Sequence, residues 1–290
     1  MLSASTVTVV AGKGGVGKST VTAVLARSAA RAGRRVLVVE LDGKPVLASL
    51  VGDVPTEPIS AAIALEQYLR EHGFGRIAKR LNASGVIDVV STAAPGIDDI
   101  VVLGRIKQLE RSGEWDVILV DGPAAGHAVT FLRSAGGLQR AVRGGPVRDQ
   151  ADEVVEMLTD PARSQVVLVT LPETTPVNEL VETAFALEDQ VGVRLGPIVV
   201  NAVDRPHGGE VPDPSTIGRR GLSKADGAVL TAAAEFRRSR LALQQAEIAR
   251  LGDTVALGQI HVPLVPVTAL SAAVVDELAA GLVTAAVERG

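Results

Sequence analysis

Short blocks of aliphatic residues recur along the chain, each about the length of a strand: TVTVVA (6–11), RVLVVEL (35–41), GVIDVVS (85–91), DVILVD (116–121), QVVLVTL (165–171) and GPIVVNAV (196–203). They are rich in β-branched residues and mostly do not alternate with polar ones, the pattern of strands buried on both faces. Between them, apolar positions fall at helical spacing, as in STVTAVLARSAARA (19–32) and ELVETAFALEDQV (179–191). This alternation predicts an α/β fold, a doubly wound and mainly parallel sheet of about seven or eight strands. Two stretches break the rhythm. Residues 133–163 hold RGGPVRDQADEVVEML, read as a loop followed by an amphipathic helix. Residues 204–255 open with DRPHGGEVPDP and run into AVLTAAAEFRRSRLALQQAEIARL, a helical excursion outside the sheet. The end, ALSAAVVDELAAGLVTAAVERG, reads as a final packing helix. One domain over 1–290 with these two helical insertions accounts for the whole pattern.

Composition narrows the chemistry. Hydrophobic residues make up 47% of the 290 but aromatics only 2%, so the core is aliphatic. The net charge of −4 argues against a nucleic-acid binder that works through bulk charge. There is no cysteine. That excludes disulfides, thiolate zinc sites, iron–sulfur clusters and thiol nucleophiles, and it fits a cytoplasmic location. The opening MLSASTVTVV lacks a basic segment followed by an apolar run, so a secretory leader is not expected. No apolar stretch reaches the roughly 18–20 residues of a membrane span, so stable membrane insertion is not expected either.

The candidate site is GKGGVGKST (12–20). Gly12-x-Gly14-x-x-Gly17 fits a dinucleotide-binding turn, and Glu40 and Asp42 stand where such a fold places its ribose-binding acid. Gly12-x4-Gly17-Lys18-Ser19 also fits a triphosphate loop. Two features favour the triphosphate. Lys18 and Ser19 supply an ammonium for the β/γ oxygens and a hydroxyl for Mg2+, which a dinucleotide does not require. The apolar strand DVILVD ends in Asp121, placed to hold the Mg2+ shell through water. Glycines let backbone N–H groups point inward around phosphate oxygens, and the helix that follows adds its positive end. Gly12, Gly14, Gly15, Val16, Gly17, Lys18, Ser19 and Thr20 therefore form the expected phosphate cradle, with Ser19 and Asp121 at the metal and Thr20 at the α-phosphate. Lys13 is required by neither fingerprint. A second cation there can reach across a subunit interface to a partner's phosphates and stabilise charge in phosphoryl transfer.

The spelling K-G-G-x-G-K-[ST] resembles the deviant Walker A of a P-loop subclass. That subclass holds partition and septum-site ATPases, the nitrogenase iron protein, arsenite-pump ATPases and the targeting ATPases for tail-anchored proteins. The last two form one family, and further segments are similar to it in order along most of the chain. VDGPAAGHAVTFL (120–132) resembles its switch II, and APGIDDIVVLGRIKQL (94–109) its P-G-x-D-E segment. VTLPETTPVNEL (169–180) and IVVN (198–201) resemble two strand-end motifs. RGGPV and DQAD look most like actinobacterial members. The resemblance implies that Asp42 orients the attacking water and Asp121 holds the Mg2+ shell. It implies that Gly122 to Gly126 sense the γ-phosphate and that His127 belongs to the switch II relay. Asn201 would read the adenine edge, and the loop at Val262, Pro263 and Leu264 would cover the base. The chain also departs from the family. Switch I keeps only the aspartate, in Leu41-Asp42-Gly43-Lys44-Pro45, and switch II lacks its threonines. The inter-subunit Cys-x-x-Cys and the arsenite-binding cysteines are missing, and two methionines cannot build a Met-rich client groove.

The implied function is an Mg-ATP-dependent dimeric ATPase. Its partner is a second copy or a paralogous subunit, its client an unidentified protein, and its nucleotide state switches subunit closure. A non-catalytic nucleotide-sensing subunit of a heteromer is a second reading, motivated by the altered switches. A partition ATPase is a third. It needs a basic face, for which Arg219, Arg220, Arg237, Arg238 and Arg240 are the local candidates, although the overall acidity reads them as a solvated helix face.

Overall fold

Val and Ile fill both faces of a pleated sheet, and the computed structural model turns the aliphatic blocks into strands accordingly. It describes residues 5–41, 46–71, 96–205 and 223–287. The elements below are those of the described residues, numbered in chain order. They run β1 (Val7–Gly12), α1 (Lys18–Arg31), β2 (Val36–Glu40), α2 (Val46–Val51), β3 (Thr56–Pro58), α3 (Ala61–Glu71), α4 (Ile97–Arg111), β4 (Val117–Ala124), α5 (Ala125–Ala141), α6 (Pro146–Thr159), β5 (Ser164–Thr170), α7 (Thr174–Gln190), β6 (Ile198–Val203), α8 (Lys224–Thr254), β7 (Gln259–Pro263) and α9 (Ala272–Val287). The predicted strand at 85–91 lies outside the described residues, as do Asp42 and residues 206–222.

The strands form one seven-stranded sheet in the order β3-β2-β4-β1-β5-β6-β7, and every described pairing is parallel. Alternate side chains divide into two cores. Val9, Leu37, Ile118, Val120, Val166 and Leu168 pack on one side under α4 to α7. Val10, Val38, Leu119, Val167 and Val169 pack on the other under α1, α2 and α9. Each fully buried Leu or Ile contributes about 1.5–3 kcal/mol, which is why strands apolar on both faces are stable only with helices on both sides.

Two strands escaped the sequence reading. β3 is three residues ending in Pro58, too short to register as a run. β7 reads QIHVP, with buried residues alternating with half-buried ones as in an edge strand. Val262 and Pro263, expected in a loop, are the last residues of β7. α9 closes the fold on α1. Arg27 donates to the Ala272 carbonyl at 2.8 Å and Ser28 to the Ala279 carbonyl at 3.1 Å. No helix among the described residues is long and apolar enough to cross a membrane.

Candidate functional site

β1 is central, hydrogen-bonded to β4 on one side and β5 on the other, and its carboxyl end runs straight into the glycine-rich loop. Carboxyl ends of strands in open α/β sheets are where crevices for ligands form. Here two glycines permit the strands to close on each other. A Cβ on Gly12 would lie 2.4 Å from the Val169 carbonyl oxygen of β5, and one on Gly122 would lie 2.6 Å from the Val10 oxygen. The register between β1 and β4 slips after the Val10–Asp121 pair. That irregularity lets β4 continue past Asp121 into α5.

The loop itself needs glycine for its dihedrals. Gly15 and Gly17 have φ of +88° and +85°, and Gly17 is the residue from which α1 departs. Val16 is buried beneath the loop. Open space surrounds the positions where Cβ atoms on Gly14 and Gly15 would stand. A ligand can therefore approach the backbone there. Lys18 Nζ lies back over the loop, 3.4 Å from the Lys13 carbonyl.

Ser19 Oγ donates to Asp121 Oδ2 at 2.7 Å. The hydroxyl and the carboxylate chosen from the sequence as metal-site residues, 102 positions apart, thus meet directly. Thr22, which the sequence reading did not single out, joins them. It is fully buried, with its Oγ1 3.2 Å from Asp121 Oδ1 and 3.0 Å from the Lys18 carbonyl. Its signal was the spacing, since three residues beyond Ser19 is the same face of α1. Glu40, one strand away, sits opposite Asp121 in the β2–β4 register and is buried. It accepts the Leu47 N–H at 3.0 Å and so ties β2 to the start of α2. Burial pushes its carboxyl pKa up and the neighbouring Asp121 charge adds to this, while the Leu47 hydrogen bond works against both.

Asn201 braces the loop from the far side. Its Nδ2 donates to the Val16 carbonyl at 2.9 Å. A Cβ on Gly17 would stand 2.3 Å from the same nitrogen. The next residue, Ala202, has φ +54°, the one positive-φ non-glycine among the described residues, and the β6–β7 register shifts there. Thr20 lies half-buried in the first turn of α1. Lys13 is held within its own chain by an ion pair from Nζ to Glu179 Oε1 on α7. Both side chains remain over a third exposed. Pro263 stands opposite Val203 in the β6–β7 register, two residues beyond Asn201, whereas the Val262 side chain is buried in the core. Pro263, Leu264, His261 and Glu277 line a cavity of about 470 Å3 at that end of the sheet.

On the other side of Asp121, the segment that resembles switch II turns from β4 into α5. Pro123, His127 and Phe131 face Leu41 and Asp99 around a cavity of about 440 Å3. Burial raises the Asp99 pKa and the adjacent Asp98 adds to it, while His127 opposes them.

Part of the chain is similar to known proteins. Residues 5–143, which include the loop, Asp121 and His127, match the anion-transporting ATPase family. ATPase BagA of Mycobacterium tuberculosis (strain ATCC 25618 / H37Rv) is 32% identical over 218 residues, covering 66% of this chain and 63% of that protein. An arsenical pump-driving ATPase of Escherichia coli is 27% identical over 196 residues, covering 66% of this chain and 33% of its own length. The matched part thus spans less than two thirds of these relatives. The glycine loop at the end of the central strand, the Ser19–Asp121 contact and the family match meet on the same residues, and residues 5–143 of this chain are similar to the anion-transporting ATPase family.

Proposed function

We infer that the chain binds ATP with Mg2+ and hydrolyses it, and that its nucleotide state governs closure against a second subunit and capture of a partner. The observation that carries this is the convergence of Ser19 Oγ on Asp121 Oδ2 at the mouth of the glycine loop. The donor set fits a hard cation. A hydroxyl and a carboxylate converge at one point, with the Lys18 ammonium on the same helix end. Mg2+ held there by Ser19 and Asp121 would supply positive charge to the phosphate oxygens of the nucleotide.

The chain's own residues do the rest. Backbone N–H groups of Gly14 to Ser19 cradle the phosphates, helped by the positive end of α1. Lys18 swings from the Lys13 carbonyl to the β/γ oxygens, Ser19 and Asp121 hold the metal shell, and Thr22 keeps Asp121 oriented. Asp42 is assigned the attacking water. Asn201 fixes the loop while it reads the base edge, with Pro263 beside it. Lys13, released from Glu179, reaches the phosphates of the facing subunit. The name of the Escherichia coli relative speaks of arsenicals, but these 290 residues hold no cysteine to take a soft thiophilic anion.

Calorimetric titration with ATP and Mg2+, together with phosphate release, tests the reading. Lys18→Ala is expected to abolish binding, and Asp121→Asn to weaken the Mg2+ dependence. Lys13→Ala is expected to keep binding and lose roughly tenfold or more in turnover. A chain that neither binds nor hydrolyses ATP, alone or with a paralogous subunit, overturns the assignment. Binding with no turnover above that of Asp42→Asn would assign it instead as a nucleotide sensor.

A further inference from the structure

α8 is a 31-residue helix with apolar residues on two opposite faces. One face meets its own chain. Gly227, Ala234 and Leu251 are buried, Leu241 and Ile248 partly so, and Glu247 accepts the Thr174 hydroxyl of α7 at 2.8 Å. The opposite face carries Val229, Phe236 and Leu243, seven residues apart and 69%, 67% and 46% exposed. Ala232, Ser239 and Ala246 interleave with them, also exposed. Large residues at one position of a seven-residue repeat and small residues three positions later make a helix-pairing seam. No described residue covers it. An all-polar outer face would suffice for a helix that only lies on its own domain, so the second stripe calls for a partner.

We propose that the partner is a second copy of this chain, with the two α8 helices packed in parallel register along this seam. The charges bordering the seam fit that occupant. In parallel pairs, the residue just before each large seam position faces the residue five places on in the other helix. Here that sets Glu235 against Arg240 of the second copy, and the two-fold makes the contact twice. Arg237 is drawn away from the seam, while Arg240 keeps donors for it. Arg237 is bonded to Asp204 at 3.1 Å, and Arg240 spends one N–H on Glu173 at 3.1 Å, with its remaining donors open and its side chain 60% exposed. The hydroxyl of Ser239 is satisfied by the Glu235 carbonyl at 3.0 Å, so it enters the seam without an orphaned donor. The idea deepens the two-subunit part of the proposed function, but it rests on α8 alone and needs no nucleotide.

The cysteine-free chain makes the test direct. Val229→Cys and Leu243→Cys are made separately and oxidised mildly without nucleotide. Each is expected to form a disulfide-linked dimer at least about tenfold faster than Gln245→Cys, an exposed position off the seam. Phe236→Glu is expected to shift sedimentation toward the monomer while circular dichroism stays unchanged, since the side chain is exposed. Three results would overturn the proposal. One is equal cross-linking at all three positions. Another is cross-linking only in a mixture of the 229 and 243 variants, the sign of an antiparallel pair. The third is a monomer whose seam is protected from labelling by its own residues 206–222. ATP binding is read separately, so failure here leaves the nucleotide site standing.

Discussion

Gly12 and Gly14 stand two residues apart in the loop and are expected to respond differently to the same change. An added methyl at Gly12 drives into a backbone carbonyl of β5 that cannot move without breaking the sheet. At Gly14 it meets open space. Gly12→Ala should cost about 1–3 kcal/mol in urea unfolding and Gly14→Ala less than about 0.5 kcal/mol. Far from the site, Asp116 accepts from the Arg35 guanidinium at 2.7 Å and the Arg35 N–H at 2.9 Å. These bonds hold its carboxyl down at about 2, below the usual carboxylate range. A depressed native pKa contributes stability that is present above the unfolded value and fades as pH falls toward the native one. The stability gap between wild type and Asp116→Asn should therefore be constant near neutrality and shrink between about pH 4 and 2, as followed by denaturant titration at each pH.

At the scale of elements, α7 joins the glycine loop to α8. Glu179 on its buried-to-exposed edge holds Lys13, while Thr174 and Glu173 at its start hold α8 through Glu247 and Arg240. The Lys13 pair is partly exposed, so it holds the lysine by no more than about 1 kcal/mol. Glu179→Gln should accordingly raise ATP turnover of the assembled protein by roughly two- to fivefold, read by phosphate release. The long strands β1, β2, β4, β5 and β6 were legible in the sequence because burial on both faces leaves an unbroken aliphatic run. β3 and β7 were not, because a short or half-exposed strand carries too few apolar positions to stand out. The Ser19–Asp121 pair was legible, since a phosphate loop and an aspartate ending an apolar strand leave fixed spellings. The tie from Glu40 to Leu47 and the hold of Glu179 on Lys13 were hidden, because they come from sheet register and helix placement, which one-dimensional spacing does not contain. Asn201 was found for a different reason from the contact it makes: its bulged strand end turns it onto the Val16 carbonyl.

At the scale of the whole molecule, the two cores meet only through the sheet, so each central strand side chain supports one core directly and the other through the backbone. Leu119 is fully buried on the α1 side of β4. Leu119→Ala should cost about 2–5 kcal/mol of global stability in the same denaturation assay. The central place of β1 also has a consequence for how the protein is made. Its first strand emerges from the ribosome before either hydrogen-bonding neighbour exists, and the loop behind it must wait for Val169 to back Gly12 and for Asn201 to clamp Val16. At ~5–20 residues per second, that interval is roughly 10–40 s. β1 can pair once β4 and β5 are made, but until residue 201 the cradle beyond it stays unclamped, so chaperone capture should concentrate on chains arrested before that point.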